Sequence, residues 1–149
     1  MRLRGFLRMA GAVCLAAACL VAVRWMENPY GKSSGFALCA GREYYLYSPS
    51  SQAKIVKSVS FAESFYLTGE KSVFLFPSDL EAEKYVCAVL AEQHASIAFE
   101  EELLGGRSIY AYAPKRGGGV LLSGQRVNLH LVLRGSRVCV GTPIIFGGY

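Results

Sequence analysis

Two short motifs in this 149-residue chain carry the residue types of nucleophilic catalysis. Gly31-Lys32-Ser33-Ser34-Gly35 contains G-x-S-x-G. That motif works only when its serine sits on a tight strand-to-helix elbow beside an oxyanion hole. Here it lies in a polar, breaker-rich stretch from Asn28 to Gly35, which reads as a linker. Ser51-Gln52-Ala53-Lys54 has S-x-x-K spacing. On a helix, that spacing brings a lysine one turn from a serine nucleophile. The partner motifs S-D-N and K-T-G are absent, so the favoured reading is a short surface helix over Ser51 to Lys57 with a capping serine.

The remaining reactive side chains are scattered. His94 falls at the end of a predicted helix, where a cation complements the dipole. His130 falls on a predicted strand, where it is expected to be solvated or hydrogen bonded. Two histidines without carboxylates at ligand spacing predict no metal site, and no cofactor motif is present. Cys14 and Cys19 lie in an apolar run; Cys39, Cys87 and Cys139 lie in the domain. The odd count leaves one domain thiol free or paired between chains, and three buried or half-buried thiols are expected. Glu100-Glu101-Glu102 alternates across a strand, with Glu101 on the side of Tyr110. A carboxylate dyad is conceivable there. The simpler expectation is a solvated face pairing with Arg126 or Arg134.

Charge locates the domain. Arg2, Arg4, Arg8, Arg24 and Lys32 against Glu27 place +4 of the net +5 in residues 1–34. Residues 35–149 are left at +1. Nucleic-acid binding requires clustered positive charge on the folded part, so no nucleic-acid partner is expected. Met9 to Val23 has no charged side chain, follows three arginines and is stopped by Arg24. A basic start and a short apolar core make residues 1–25 a signal peptide or membrane anchor. Residues 5–25 enter the membrane, and Trp25 suits the interfacial belt. The arginine bias puts the following domain outside the cytoplasm. If the leader is cleaved, the domain is secreted. Residues 26–35 are the linker and residues 36–149 the domain.

The elements that position these residues follow from periodicity and punctuation. Glu43 to Tyr47 reads as a strand ended by Ser48-Pro49. Ser60 with Glu63 fits a capping box over one turn. Phe65 to Leu67 and Ser72 to Phe76 flank Gly69-Glu70 as a hairpin. Ser78 with Glu81 starts a helix that runs to about His94, with Ala82, Val86, Val89, Leu90 and Gln93 along one side. Ile97 to Leu104 and Arg107 to Ala113 flank Gly105-Gly106. Val120 to Leu122 meets Gln125 across Ser123-Gly124. Arg126 to Arg134 and Arg137 to Phe146 flank Gly135-Ser136, a glycine-first turn of type II′. That turn sets Leu133 against Val138, Leu131 against Val140, Leu129 against Thr142 and Val127 against Ile144. The opposite face carries Arg126, Asn128, His130 and Arg134, the candidate partner-binding residues. The fold class is α+β: an antiparallel meander of hairpins packed on one main helix, after an N-terminal membrane helix.

Val127-Asn128-Leu129, Arg134, Val138 and Gly141-Thr142-Pro143-Ile144-Ile145, with Tyr149, resemble the YwmB-like family of exported proteins of endospore-forming Firmicutes. Tyr44-Tyr45-Leu46-Tyr47-Ser48-Pro49-Ser50-Ser51 is similar to small clostridial relatives. The resemblance implies a fold like that of the TATA-box-binding protein and a link to sporulation, with no established activity. Fold likeness does not carry DNA binding across. The expectation is a non-enzymatic envelope protein that binds a protein or wall partner through a sheet face. The rival readings are a small extracytoplasmic hydrolase using Ser51 with Lys54, or a cysteine with a histidine, and nucleic-acid binding by fold analogy only.

Overall fold

The computed structural model describes residue 14 and residues 38–48, 53–103 and 105–146. The rest of the leader, the linker with its G-x-S-x-G, and Ser51 and Gln52 lie outside the described residues. No helix among the described residues is long and apolar enough to cross a membrane.

The chain runs β1 (Leu38–Leu46), β2 (Lys54–Val56), a 3-10 turn (Glu63–Tyr66), β3 (Leu67–Leu75), α1 (Asp79–Glu92), β4 (Ser96–Leu103) and β5 (Gly106–Tyr112). A second 3-10 turn (Pro114–Arg116), β6 (Val120–Leu122), β7 (Gln125–Val127), β8 (Leu129–Arg134) and β9 (Arg137–Thr142) complete it. Seven strands form one antiparallel sheet in the order β2-β1-β3-β9-β8-β5-β4, and β6-β7 is a separate hairpin. The architecture is α+β, an antiparallel sheet with one main helix, as predicted. The hairpins are not one simple meander. β9 returns to pair with β3, while α1 carries the chain from β3 to the far edge at β4.

Local signals explain α1 and the turns. Ser78 is extended and its side chain accepts from the Glu81 N–H, filling one of the orphan donors of the first turn. Ser78→Ala lowers the unfolding free energy by about 1 kcal/mol, read from urea denaturation; an unchanged midpoint would show the cap to be idle. At the other end His94 has φ 48°. Its N–H donates to the Ala91 carbonyl and that of Ala95 to the Leu90 carbonyl. These two bonds form a Schellman closure, so His94 ends the helix through its backbone. Ser123 and Gly124 both have positive φ, and the turn at Gly135 has positive φ at the glycine alone among its two residues. The second pattern fits the predicted type II′.

The predicted apolar face is the core. Leu129, Leu131, Leu133, Val138 and Val140 pack with Ile109, Ala111 and Phe74 against Ala82, Val86 and Val89 of α1. Tyr85, which the sequence stripe omits, joins them with its ring 5.1 Å from that of Phe74 and 4.9 Å from that of Phe76.

Three predictions need correction. The expected helix over 51–57 gives way to strand β2, whose Lys54, Ile55 and Val56 pair with Leu46, Tyr45 and Tyr44. An available sheet edge outweighs weak helix propensity. The expected hairpin at Gly69-Glu70 does not form, because β3 runs straight through both residues. Gly69 serves close approach instead of turning: a Cβ there would collide with the Thr142 carbonyl. The last hairpin keeps its register from His130–Gly141 to Arg134–Arg137. Beyond that it ends, with β7 and β8 separated at Asn128 and β9 stopping at Thr142.

Candidate functional site

The four predicted contact residues do not share one surface. Arg126 is exposed on the β6-β7 hairpin, opposite Leu121. Arg134 is exposed at the tip of the β8-β9 hairpin. Asn128 and His130 are only 3% and 2% exposed, so neither belongs to a contact face. The Asn128 side chain accepts from the Ala113 N–H at 2.7 Å and donates to the carbonyls of Ala113 at 2.9 Å and Gly117 at 2.8 Å. It replaces ladder bonds where the strand breaks and pins the turn over Pro114–Arg116.

His130 belongs to a second, smaller core on the sheet face opposite α1. Cross-strand register aligns Phe99 with Tyr110, Tyr110 with His130 and His130 with Gly141. The three rings stack, with centroids 4.5 Å apart for Phe99 and Tyr110 and 4.1 Å for Tyr110 and His130. Gly141 adds no side chain to this row, and Ile145 occupies the space: a Cβ on Gly141 would lie 2.5 Å from Ile145 Cγ1. The Ile145 N–H donates to His130 Nδ1 at 3.1 Å. Ile145 packs with Val73, Val132 and Cys139. Phe146 follows, its N–H donating to the Tyr45 hydroxyl at 3.1 Å while that hydroxyl donates to the Phe146 carbonyl at 3.2 Å. Residues 143–146 therefore fold back over the sheet, held by His130 and Tyr45.

Burial sets the electrostatics of this face. It lowers the His130 pKa to about 4 and raises that of Tyr45 to about 12. It also pushes the Cys139 thiol up. Cys139 and His130 face the same side, but these shifts oppose the thiolate–imidazolium couple that a Cys–His nucleophile uses. Lys71 is buried and reaches Glu43 at 2.8 Å, its register partner on β1. A buried charge of this kind needs such a partner.

The other candidate groups are dispersed. Lys54 begins β2, so the S-x-x-K motif is not helical at its lysine. Glu100 meets Arg107 at 3.9 Å. A cleft of about 530 Å³ near the start of α1 is lined by Asp79, Glu83, Glu102 and Arg107. Among the described residues no three His, Cys, Asp or Glu side chains are placed to hold a metal. Cys39 is half-buried and Cys139 buried, as expected of small core thiols, whereas Cys87 is exposed on α1; all three are free.

The contact feature that survives is the pair Arg134 and Arg137. They are directly opposite across β8 and β9, and both are exposed. The two-residue turn at Gly135-Ser136 already places them opposite each other in the sequence. Tyr45 and Ile145 escape sequence reasoning because their roles depend on the return of the C-terminal segment. No family model, curated protein or solved structure matches the chain.

Proposed function

We propose that this chain is a membrane-tethered, non-enzymatic envelope protein with its domain outside the cytoplasm. It binds a protein or wall partner through the hairpin-tip end of the sheet face opposite α1. The observation that carries this reading is the Arg134–Arg137 pair. Both guanidinium groups are exposed at the tip, where they present forked donors to an anionic group on a partner. The basic leader and nearly neutral domain support the location. The likeness to YwmB-like proteins adds a role in sporulation and a TATA-box-binding-protein-like curvature to the same proposal.

The test is an Arg134→Ser, Arg137→Ser double variant. Its melting temperature stays within about 2 °C of the parent or rises, since exposed substitutions cost about 0.5 kcal/mol or less. Retention of an envelope partner from solubilised membranes is lost, and the parent's retention falls as salt is raised. Identical capture by parent and variant rejects this surface. A fluorophosphonate or thiol probe adduct that abolishes a measurable hydrolysis would reject the non-enzymatic reading.

A further inference from the structure

The corner where β1 ends carries large side chains that the core does not use. Phe61 is 83% exposed, Phe65 75%, Tyr47 66% and Tyr66 61%. These rings are held by a built turn. The Ser60 N–H and hydroxyl both donate to Glu63 Oε2, at 3.0 and 2.8 Å, and the Glu63 N–H returns to Ser60 Oγ at 3.4 Å. Ser64 Oγ donates to the Phe61 carbonyl at 2.6 Å. The Tyr47 N–H donates to the Tyr66 carbonyl at 2.8 Å and ties the turn to the end of β1. The rings of Phe61 and Phe65 stand edge to face, 5.4 Å apart. Large exposed rings grouped at one corner mark an interaction site, where singly scattered ones do not.

Charge and tether select the occupant. Lys54 and Lys57 are exposed, Lys57 beside Phe61 in one hollow and Lys54 within electrostatic reach of Glu63. The one carboxylate of the turn, Glu63, is engaged by Ser60. Aromatic rings flanked by lysines match the polar–apolar boundary of an anionic bilayer. The leader joins the domain at the start of β1, and the corner lies at the end of the same strand. Nine residues of strand span about 30 Å. The twelve residues between Trp25 and Leu38 reach about 40 Å when extended. β1 therefore has room to lie along the membrane surface, with the tether at one end and the aromatic corner at the other.

We propose that Phe61, Phe65, Tyr47 and Tyr66, with Lys54 and Lys57, form a second membrane contact that docks the domain edge-on to anionic lipid. This rests on the membrane-tethered reading, and the experiment separates the two. Trp25 is the only tryptophan of the chain. The full-length parent therefore reports the leader, and a Trp25→Phe, Phe61→Trp variant reports the corner. Both are reconstituted in phosphatidylcholine vesicles with and without one-third phosphatidylglycerol. The expected result is a blue shift and quenching by acyl-brominated lipid for the indole at position 61, stronger with phosphatidylglycerol. Adding Lys54→Gln and Lys57→Gln reduces docking by about fivefold per lysine, since each basic residue near an anionic surface contributes about 1 kcal/mol.

An indole at position 61 that stays water-like and unquenched in both vesicle types overturns the proposal. So does a blue shift that appears in lipid-free detergent and grows with protein concentration, because the rings then meet a second copy. Absence of quenching at Trp25 instead overturns the tether, and quenching at position 61 still establishes the corner as a lipid contact.

Discussion

Asn128→Ala loses about 3–5 kcal/mol of unfolding free energy, although the sequence alone places Asn128 on a contact surface. The substitution removes three hydrogen bonds at once. Ala113 is fully buried, so its N–H is left without a partner, while its carbonyl keeps the Arg116 N–H. The orphaned N–H costs about 1–3 kcal/mol, and the two lost bonds to carbonyls about 1 kcal/mol each. Asn128→Asp is no remedy, because it keeps the acceptor for the Ala113 N–H but turns a carboxylate oxygen towards two carbonyls. Arg126→Ala, two residues away and exposed, stays within about 0.5 kcal/mol. Urea denaturation of the three variants decides the matter. If Asn128→Ala stays within 1 kcal/mol of the parent, the side chain is not the clasp described above.

The stability of the domain also falls between pH 6.5 and pH 4 through His130. The folded ring is neutral because burial lowers its pKa to about 4 and because Nδ1 must accept from Ile145. The unfolded ring titrates near 6.5. Between those values the unfolded chain binds the proton and the folded chain does not, so stability rises with pH. The contribution is fully present above about pH 6.5 and is lost as pH falls towards 4. The complete interval is worth about 3 kcal/mol. Tyr110 stacks on the ring, Cys139 lies on the neighbouring strand, and the Lys71–Glu43 pair is on the same face beyond Gly141. His130→Phe removes the titration together with the hydrogen bond. Its stability is lower at pH 7 and flatter from pH 7 to 4 than the parent's, as urea unfolding at a series of pH values will show. Parallel pH profiles for parent and variant would remove His130 as the source.

Both predictions concern residues that binary alternation assigns to the solvent side. Alternation does place His130, Val132 and Arg134 together on the face opposite the helix, and the structure agrees. It cannot say whether that face is covered. The cover comes from residues 143–146, which return over the sheet and seat Ile145 between His130 and Val132. At the hairpin tip Arg134 and Arg137 are exposed, so among the described residues the same face is core in one half and surface in the other.

What this sequence determines by itself is local. Ser78 with Glu81 starts α1, Ser60 with Glu63 builds the turn, and Gly135-Ser136 sets the register of β8 against β9. Each signal involves groups a few residues apart, whose hydrogen bonds and φ angles depend little on the rest of the chain. The tertiary structure alone decided that β3 runs through Gly69, that Lys54–Val56 is an edge strand, and that Asn128 and His130 are buried. Those outcomes depend on partners distant in sequence: Thr142 against Gly69, Tyr44–Leu46 against β2, Ala113 against Asn128 and Ile145 against His130. A glycine suits a turn and a close approach equally, and a polar residue suits solvent and a satisfied core equally. Only the neighbour brought by the fold distinguishes them.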